Sequence, residues 1–184
     1  MKEFKNIAKK NGFTLIELLV VVVILGVLAA VVVPQLSGTT DSAKVAALDA
    51  NLARMRSAID LYRQDHGSYP SEALATGASC PNSGTAGSGA ADTTAAFASQ
   101  LTMYSNAAGQ TCTTTDATFK YGPYLRTATT GVAGIPKNPV TDANTVAVST
   151  TGSLALTSSV TTGGWKFDNI VGKIIADHSA YDDR

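Results

Sequence analysis

One acidic side chain, Glu17, interrupts a run of apolar residues that extends from Phe13 to Val33. A helix of about 20 apolar residues is long enough to cross a bilayer, because it rises about 1.5 Å per residue and the hydrocarbon core is about 30 Å thick. An acidic side chain at the centre of such a helix costs about 2.5–3.5 kcal/mol. Glu17 therefore needs either an interfacial position near the head groups or a positively charged partner on another molecule.

Two cysteines, Cys80 and Cys112, are the next candidates for chemistry. An even pair of cysteines in an exported domain favours a disulfide over the alternative of two free thiols. The bridge would close a loop of 33 residues, counting both cysteines. Such a loop closure is expected to stabilise the fold by about 3–4 kcal/mol.

The carboxyl-terminal segment groups His178 with three carboxylates, Asp177, Asp182 and Asp183. Oxygen-rich loops of this kind bind calcium in some proteins. The simpler interpretation is a solvated acidic tail, since nothing fixes the ligand spacing. We therefore predict no metal or other cofactor and keep calcium as the one open possibility.

Sequence signatures of enzymes are absent. The chain has no glycine-rich phosphate loop, no Gly-x-Ser-x-Gly elbow and no repeated Cys/His metal spacing, so we expect a protein that is not an enzyme and has no catalytic residues. From Phe13 onward it has 10 basic and 13 acidic residues, a net charge of −3. With no run of Lys or Arg, direct binding to nucleic acid is not indicated.

The first twelve residues read as a leader, because four lysines stand there against one glutamate. An ordinary secretory signal places its apolar core before the cleavage site, whereas a cut after Gly12 would leave the apolar run in the mature protein. The lysines predict that this end lies in the cytoplasm and that the chain emerges on the other side. An uncleaved single-span anchor is the alternative.

The segment Gly12-Phe13-Thr14-Leu15-Ile16-Glu17, behind a basic leader and ahead of a Leu/Val/Ile run, resembles the amino terminus of type IV prepilins and the related type II secretion pseudopilins. The resemblance extends to Pro34 and to residues 67–70, and so covers about the first 70 residues. It implies cleavage by a prepilin peptidase after Gly12 and N-methylation of Phe13. It also implies that Phe13 and Glu17 serve in docking the subunit into a growing fibre.

The apolar run continues into a second helical segment. Leu48, Leu52, Met55, Ile59 and Tyr62 are spaced 4, 3, 4 and 3 residues apart, which is one face of a helix. Pro34 predicts a bend and not a stop, and Gly26 is a second weak point. We expect the helix to end near Gly67, since glycine commonly caps helices and Pro70 prevents resumption.

The rest of the chain reads as loops and strands. An Ala/Gly/Ser/Thr-rich stretch predicts a surface loop region, with a possible short helix over residues 95–104. Five short strands are predicted as an antiparallel meander, over residues 119–126, 145–149, 153–157, 164–168 and 171–177. Trp165 and Phe167 alternate with Lys166 and Asp168, so one face of that strand should be buried and the other exposed to solvent.

These patterns predict an α+β fold with a long amino-terminal helix, its first half embedded in a membrane, packed on a carboxyl-terminal antiparallel sheet. The segments are the leader (1–12), the membrane and assembly half of the helix (13–34), its amphipathic half (35–67), the loop region (68–118) and the sheet with its tail (119–184).

The pattern and the resemblance together predict a structural subunit of a type IV pilus, held in the inner membrane as a precursor and then polymerised into a surface filament. The expected partners are other copies of the chain, the prepilin peptidase, the membrane and an inner-membrane assembly platform. One alternative is a type II secretion pseudopilin in a periplasmic fibre. The other is a membrane-tethered binding module that does not polymerise.

Overall fold

A computed structural model describes residues 13–77, 79–126 and 134–184, except for the side chains of residues 31–39. The leader, Gly12 and the cleavage junction therefore lie outside the described residues. The chain divides into two units, residues 1–43 and residues 44–184. The described residues form two helices and five strands.

The first helix, α1, extends over Leu15–His66. It continues through Gly26 and Pro34, so the prediction that the helix does not stop there is confirmed, while a bend at either residue stays a prediction. The helix ends where the sequence predicts. Gly67 follows with a φ of 75°, and its N–H donates to the carbonyl of Arg63 at 2.8 Å. A left-handed residue after the last turn is the usual conformation of a helix cap, and glycine adopts it without strain.

The predicted apolar face of α1 forms one side of the core in the unit of residues 44–184. All five side chains of the stripe are buried, and they join one cluster with Trp165, Phe167 and Ile174. Burying a large apolar side chain contributes about 1.5–3 kcal/mol. The packing of this half of α1 on the sheet therefore contributes several kcal/mol to the stability of the unit.

A second helix, α2, spans Thr94–Thr102 inside the region predicted as a surface loop. Thr93 caps it, because its hydroxyl accepts a hydrogen bond from the N–H of Ala96 at 3.2 Å. Phe97 and Leu101 are fully buried, and the ring of Phe97 lies 4.7 Å from that of Phe167. The predicted short helix is therefore confirmed, whereas the prediction that this segment lies at the surface is wrong, because the helix packs into the core.

Two short strands follow α2 and were not predicted. Strands β1 (Tyr104–Ser105) and β2 (Thr111–Cys112) pair antiparallel. Two-residue strands carry almost no sequence signal, since alternation needs at least four residues to be recognised. The predicted strand over 119–126 is wrong: within the described residues, Tyr121 makes a single antiparallel bridge to Ser105 there.

The main sheet has the order β3-β4-β5, from Val146–Ser149, Trp165–Asp168 and Lys173–Ala176. Strands β4 and β5 pair antiparallel, as predicted, in a hairpin around residues 169–172, but β3 pairs with β4 in parallel. The sheet is therefore mixed, and the prediction of a wholly antiparallel meander is wrong. A parallel pair needs a crossover connection, here residues 150–164.

The prediction that the second face of β4 is exposed to solvent is wrong, because this crossover covers it. The segment predicted as a strand over 153–157 does not join the sheet but lies over its outer face. The ammonium groups of Lys166 and Lys173 donate to the carbonyls of Thr157 and Leu154, each at 2.8 Å. Asp168 and Ile175, which share this face, are fully buried.

The two cysteines are joined by a disulfide, with their Cα atoms 5.8 Å apart. Cys112 is fully buried at the end of β2, whereas Cys80 lies in a segment without regular structure. The bridge thereby ties the loop before α2 to the small sheet that follows α2.

We expect replacement of both cysteines by serine to lower the free energy of unfolding by about 3 kcal/mol, because a closed loop of this length restricts the unfolded chain. Denaturant unfolding of the full chain in detergent micelles measures the loss. Thr113→Ser, an exposed neighbour of Cys112, is the matched control and should leave stability unchanged. A loss below about 1 kcal/mol would contradict a stabilising role for the bridge.

Candidate functional site

The amino-terminal part of α1 exposes an unbroken apolar surface in the single chain. Phe13 is 87% exposed and Leu15 83% exposed, and large apolar side chains remain exposed as far as Leu28. Soluble monomers rarely expose contiguous apolar patches larger than a few hundred Å². This surface therefore indicates a membrane or protein environment in the working state.

The helix begins with a reciprocal pair of hydrogen bonds between Thr14 and Glu17. The Thr14 N–H and hydroxyl donate to Oε2 of Glu17 at 2.8 and 2.7 Å, and the Glu17 N–H donates to the Thr14 hydroxyl oxygen at 3.3 Å. This is a capping box, which satisfies N–H groups that have no partner inside the helix. Glu17 therefore has a structural role within its own chain.

The lone charge in an apolar run predicts an interfacial position near the head groups or a charged partner for Glu17, and it does not predict this capping role. The signal was present, because Thr-x-x-Glu directly before an apolar run is the signature of a capping box. The two roles are compatible. A carboxylate has about four acceptor positions, and Oε1 has no hydrogen-bond partner among the described residues.

The side chains around Glu17 form a shallow cleft of about 350 Å³ on one side of the helix. It is lined by Phe13, Ile16, Glu17, Val20 and Val21. The structure thus places Phe13 and Glu17 on the same side of α1, among apolar neighbours. A positive charge entering this cleft would find one carboxylate in otherwise apolar surroundings, where charge interactions are less screened than in water.

The other predicted site residues are not brought to this cleft. A Cβ added to Gly26 would meet no heavy atom within 4 Å, so packing within one chain does not require glycine there. The side chain of Pro34 and the junction at Gly12 lie outside the described residues. Cys80 and Cys112 lie in the other unit of the chain.

No metal centre is found in the part of the chain that the structure describes, because no group of three or more His, Cys, Asp and Glu side chains is arranged to hold an ion. The tail carboxylates make structural contacts instead. Asp177 accepts from the hydroxyl of Ser158 at 2.8 Å, and Asp182 accepts from the Ser158 N–H at 2.7 Å.

Among the described residues, no helix is both long enough and apolar enough to cross a bilayer. The predicted span reaches residue 34, and the side chains of residues 31–39 lie outside the description. The crossing of a membrane by residues 13–34 stays a prediction.

Comparison with known proteins identifies relatives of the amino-terminal region. A family model described as a prokaryotic N-terminal methylation motif matches residues 7–33. The type II secretion system core protein G of Pseudomonas aeruginosa is 49% identical over 63 residues, which cover 34% of this chain and 44% of that relative. The core protein G of Vibrio cholerae is 42% identical over 77 residues, and that of Klebsiella michiganensis 40% over 77 residues.

The matches to these last two relatives cover 39% of this chain and 53% and 54% of the relatives. The chain thus spans about half the length of the curated relatives it matches. No solved structure shows significant similarity. The resemblance to the pilin and pseudopilin superfamily, which the sequence indicated from Gly12 to Glu17, is confirmed.

Proposed function

We propose that this chain, which carries a prepilin-type amino terminus, is a pseudopilin: a structural subunit of a periplasmic type II secretion fibre. The observation that carries the proposal is the 40–49% identity to three type II secretion core G proteins. This proposal revises the expectation of a surface type IV pilus in favour of the alternative drawn from the same residues. The relatives are named as core proteins of a secretion system, which supports a structural role without catalysis.

The exposed apolar surface of α1 supports polymerisation as the mode of action. Burial of apolar surface contributes about 25 cal/mol per Å², and residues 13–28 expose large apolar side chains at almost every position. In the inner membrane, lipid covers this surface before assembly. In the fibre, the same helix segment of neighbouring copies covers it.

Processing prepares the cleft for assembly. In this proposal a prepilin peptidase cuts after Gly12, and the amine of Phe13 becomes a positive charge at the start of the apolar helix. The cleft of one copy would receive the amine of the next, with the assembly platform in the inner membrane delivering subunits. Thr14 would continue to hold Glu17 in place, because the cut leaves its N–H and hydroxyl unchanged.

A surface type IV pilus remains the second candidate, which the loop region rich in Ala, Gly and Thr favours. Deletion of the coding sequence in the native host separates the two. A pseudopilin predicts that substrates of the secretion system accumulate in the periplasm while surface pili and their motility persist. Normal secretion together with lost surface filaments would contradict the proposal and support the pilus.

Processing has its own test. We expect Gly12→Val to retain residues 1–12, because a branched side chain at the cut obstructs a site that the family resemblance assigns to glycine. Mass spectrometry of the membrane-extracted subunit should show a wild-type chain that begins at Phe13 and a variant that begins at Met1. Ala8→Val, inside the leader, is the control and should be cut normally. A wild-type subunit that still begins at Met1 would refute processing.

A further inference from the structure

A cleft of about 380 Å³ lies between the outer face of the sheet and the crossover that follows β3. Its lining includes the side chains of Ser149, Thr151, Ser153, Thr157 and Lys166. The volume falls within the range of about 300–1,000 Å³ that small-molecule sites occupy. Trp165 and Phe167 face the core on the opposite side of the sheet, so packing of the sheet on α1 leaves this cleft open.

The walls of the cleft are fixed although the crossover contains no strand. Lys166 and Lys173 donate hydrogen bonds to the carbonyls of Thr157 and Leu154, respectively. Asp168 accepts a hydrogen bond from the N–H of Gly152 at 3.0 Å. In the carboxyl-terminal tail, Asp177 and Asp182 accept hydrogen bonds from Ser158 of the crossover. A cleft whose walls are held before a ligand arrives loses less conformational entropy when the ligand binds.

One side of the cleft presents hydrogen-bond acceptors. Oδ2 of the buried Asp168 accepts from the hydroxyls of Ser149 and Thr151, at 3.2 and 2.9 Å. A hydroxyl has one proton, and an ionised carboxylate is the stronger acceptor for it. The two hydroxyl oxygens also lie 3.0 Å from each other, so both protons are used within the group of Ser149, Thr151 and Asp168. The lone pairs that remain on Ser149 and Thr151 are acceptors available to the cleft.

The other side presents donors. Lys166 carries three N–H groups, and the carbonyl of Thr157 occupies one of them. The hydroxyls of Ser153 and Thr157 make no hydrogen bond with other residues that the structure describes. The side chain of Ala155 adds an apolar contact in the same wall.

This pattern of donors and acceptors favours one class of ligand. An anion would meet the acceptor oxygens of Ser149 and Thr151 and the charge of Asp168 behind them. A cation would meet the ammonium group of Lys166. A neutral molecule with several hydroxyl groups has donors and acceptors for both sides and presents no charge to either.

We propose that the cleft between Ser149 and Lys166 binds a neutral saccharide unit. The site extends the function beyond polymerisation, because it lies on the sheet face that α1 does not use. A fibre built from such subunits would carry one weak carbohydrate site on every copy.

Nuclear magnetic resonance titration of the full chain tests the proposal, in a detergent without a sugar head group. The probes are maltotetraose, cellotetraose and chitotetraose, each added to about 20 mM, a range that reveals a site with a Kd near 1 mM. We expect at least one probe to shift the amide signals of residues 149–157 and 166 with saturation. No saturable shift with any of the three would overturn the proposal.

Two variants and an anion complete the test. Thr157→Val keeps the carbonyl that Lys166 holds but removes the hydroxyl, and Ser153→Ala removes the other donor, so each should weaken binding at least about fivefold. Thr161→Val, exposed and outside the cleft, should bind as the wild type does. Equal weakening by the control, or tighter binding of inorganic phosphate to the same residues, would overturn the assignment to a neutral saccharide.

Discussion

Replacement of Glu17 by alanine is expected to reduce the yield of assembled fibre at least about tenfold, while the subunit is still made and processed. The proposed fibre pairs the amine of Phe13 in one copy with Glu17 of its neighbour. At 4 Å such a pair gains about 4 kcal/mol at an effective dielectric constant of 20, before the cost of desolvation is subtracted. Without the carboxylate, the amine stays unpaired in an apolar bundle, which costs several kcal/mol.

The pair is expected to act more on register than on affinity. The net gain of a desolvated ion pair is modest, but a misplaced subunit would leave two charges without partners. Apolar contacts along residues 15–28 would supply most of the cohesion in every register. Glu17 is therefore expected to select the correct register between neighbouring subunits, because apolar contacts alone would permit many registers.

The capping box permits a clean separation of the two roles of Glu17. Glu17→Gln keeps an acceptor for Thr14 but removes the charge, whereas Thr14→Ala removes the cap and keeps the charge. If the charge directs assembly, the glutamine variant should fail as the alanine variant does, and Thr14→Ala should cause a smaller loss. The ratio of sheared fibre to processed subunit in membranes measures each effect.

The opposite result is equally informative. Normal fibre yield from Glu17→Gln, together with a strong loss from Thr14→Ala, would mean that Glu17 acts as a helix cap. Normal yield from Glu17→Ala at wild-type subunit levels would refute both roles.

Replacement of Asp168 by asparagine is expected to lower the free energy of unfolding by about 3 kcal/mol. The carboxylate is fully buried and accepts five hydrogen bonds. Three donors converge on Oδ2, and the N–H groups of Ile170 and Val171 donate to Oδ1. An amide must turn its NH₂ group toward one of these sets, which leaves donors facing donors.

Denaturant unfolding of the full chain at pH 7 measures this loss. Asp142→Asn is the matched control, because Asp142 contacts Lys137 at an exposed position. Its stability should stay within about 0.5 kcal/mol of the wild type. Equal stability of the Asp168 and Asp142 variants would contradict the role assigned to the buried carboxylate.

The same carboxylate predicts the direction of a pH effect. Burial by itself raises the pKa of Asp168, but the hydrogen bonds from Thr151, Ile170, Val171 and Ser149 outweigh it, so the pKa lies below its ordinary value. A lowered pKa in the folded state contributes stability above the unfolded pKa, near 3.9, and this contribution is lost as the pH falls through the folded pKa.

The stability difference between wild type and Asp168→Asn should therefore be constant above about pH 5 and shrink as the pH falls below about 4. Other carboxylates titrate in both proteins, and the comparison removes their contribution. A difference that stays constant from about pH 7 to about pH 3 would show that Asp168 does not titrate as a stabilising anion.

Long-range periodicity made the helical part of the fold predictable. The stripe from Leu48 to Tyr62 predicted the buried face of α1, because spacing on a helix determines which side chains can share a surface. The alternation around Trp165 predicted β4, and the antiparallel pairing of β4 with β5 agrees with the predicted order of strands. The segment from Gly12 to Glu17 was recognisable because a basic leader, a glycine and a lone glutamate in an apolar run are an unusual combination.

The missed features depend on tertiary contacts. The parallel pairing of β3 with β4 follows from the path of residues 150–164. Lys166, Lys173 and Asp168 fix this path through hydrogen bonds to backbone carbonyl and N–H groups. Every residue has such backbone groups, so these bonds leave no signature in the sequence. Helix α2 is rich in alanine, serine and threonine, so its burial arises from close packing around Phe97 and not from a strong apolar pattern. The capping box was the one local signal that was available and overlooked.

Polymerisation through the processed amino terminus is tested most directly by shearing fibres from cells that overproduce the chain and measuring the mass of the fibre subunit. The predicted result is a fibre, visible by electron microscopy, whose subunit begins at Phe13 and carries one additional methyl group. A chain that is processed and membrane-bound, yet yields no fibre under conditions in which a known pseudopilin does, would contradict the proposed function.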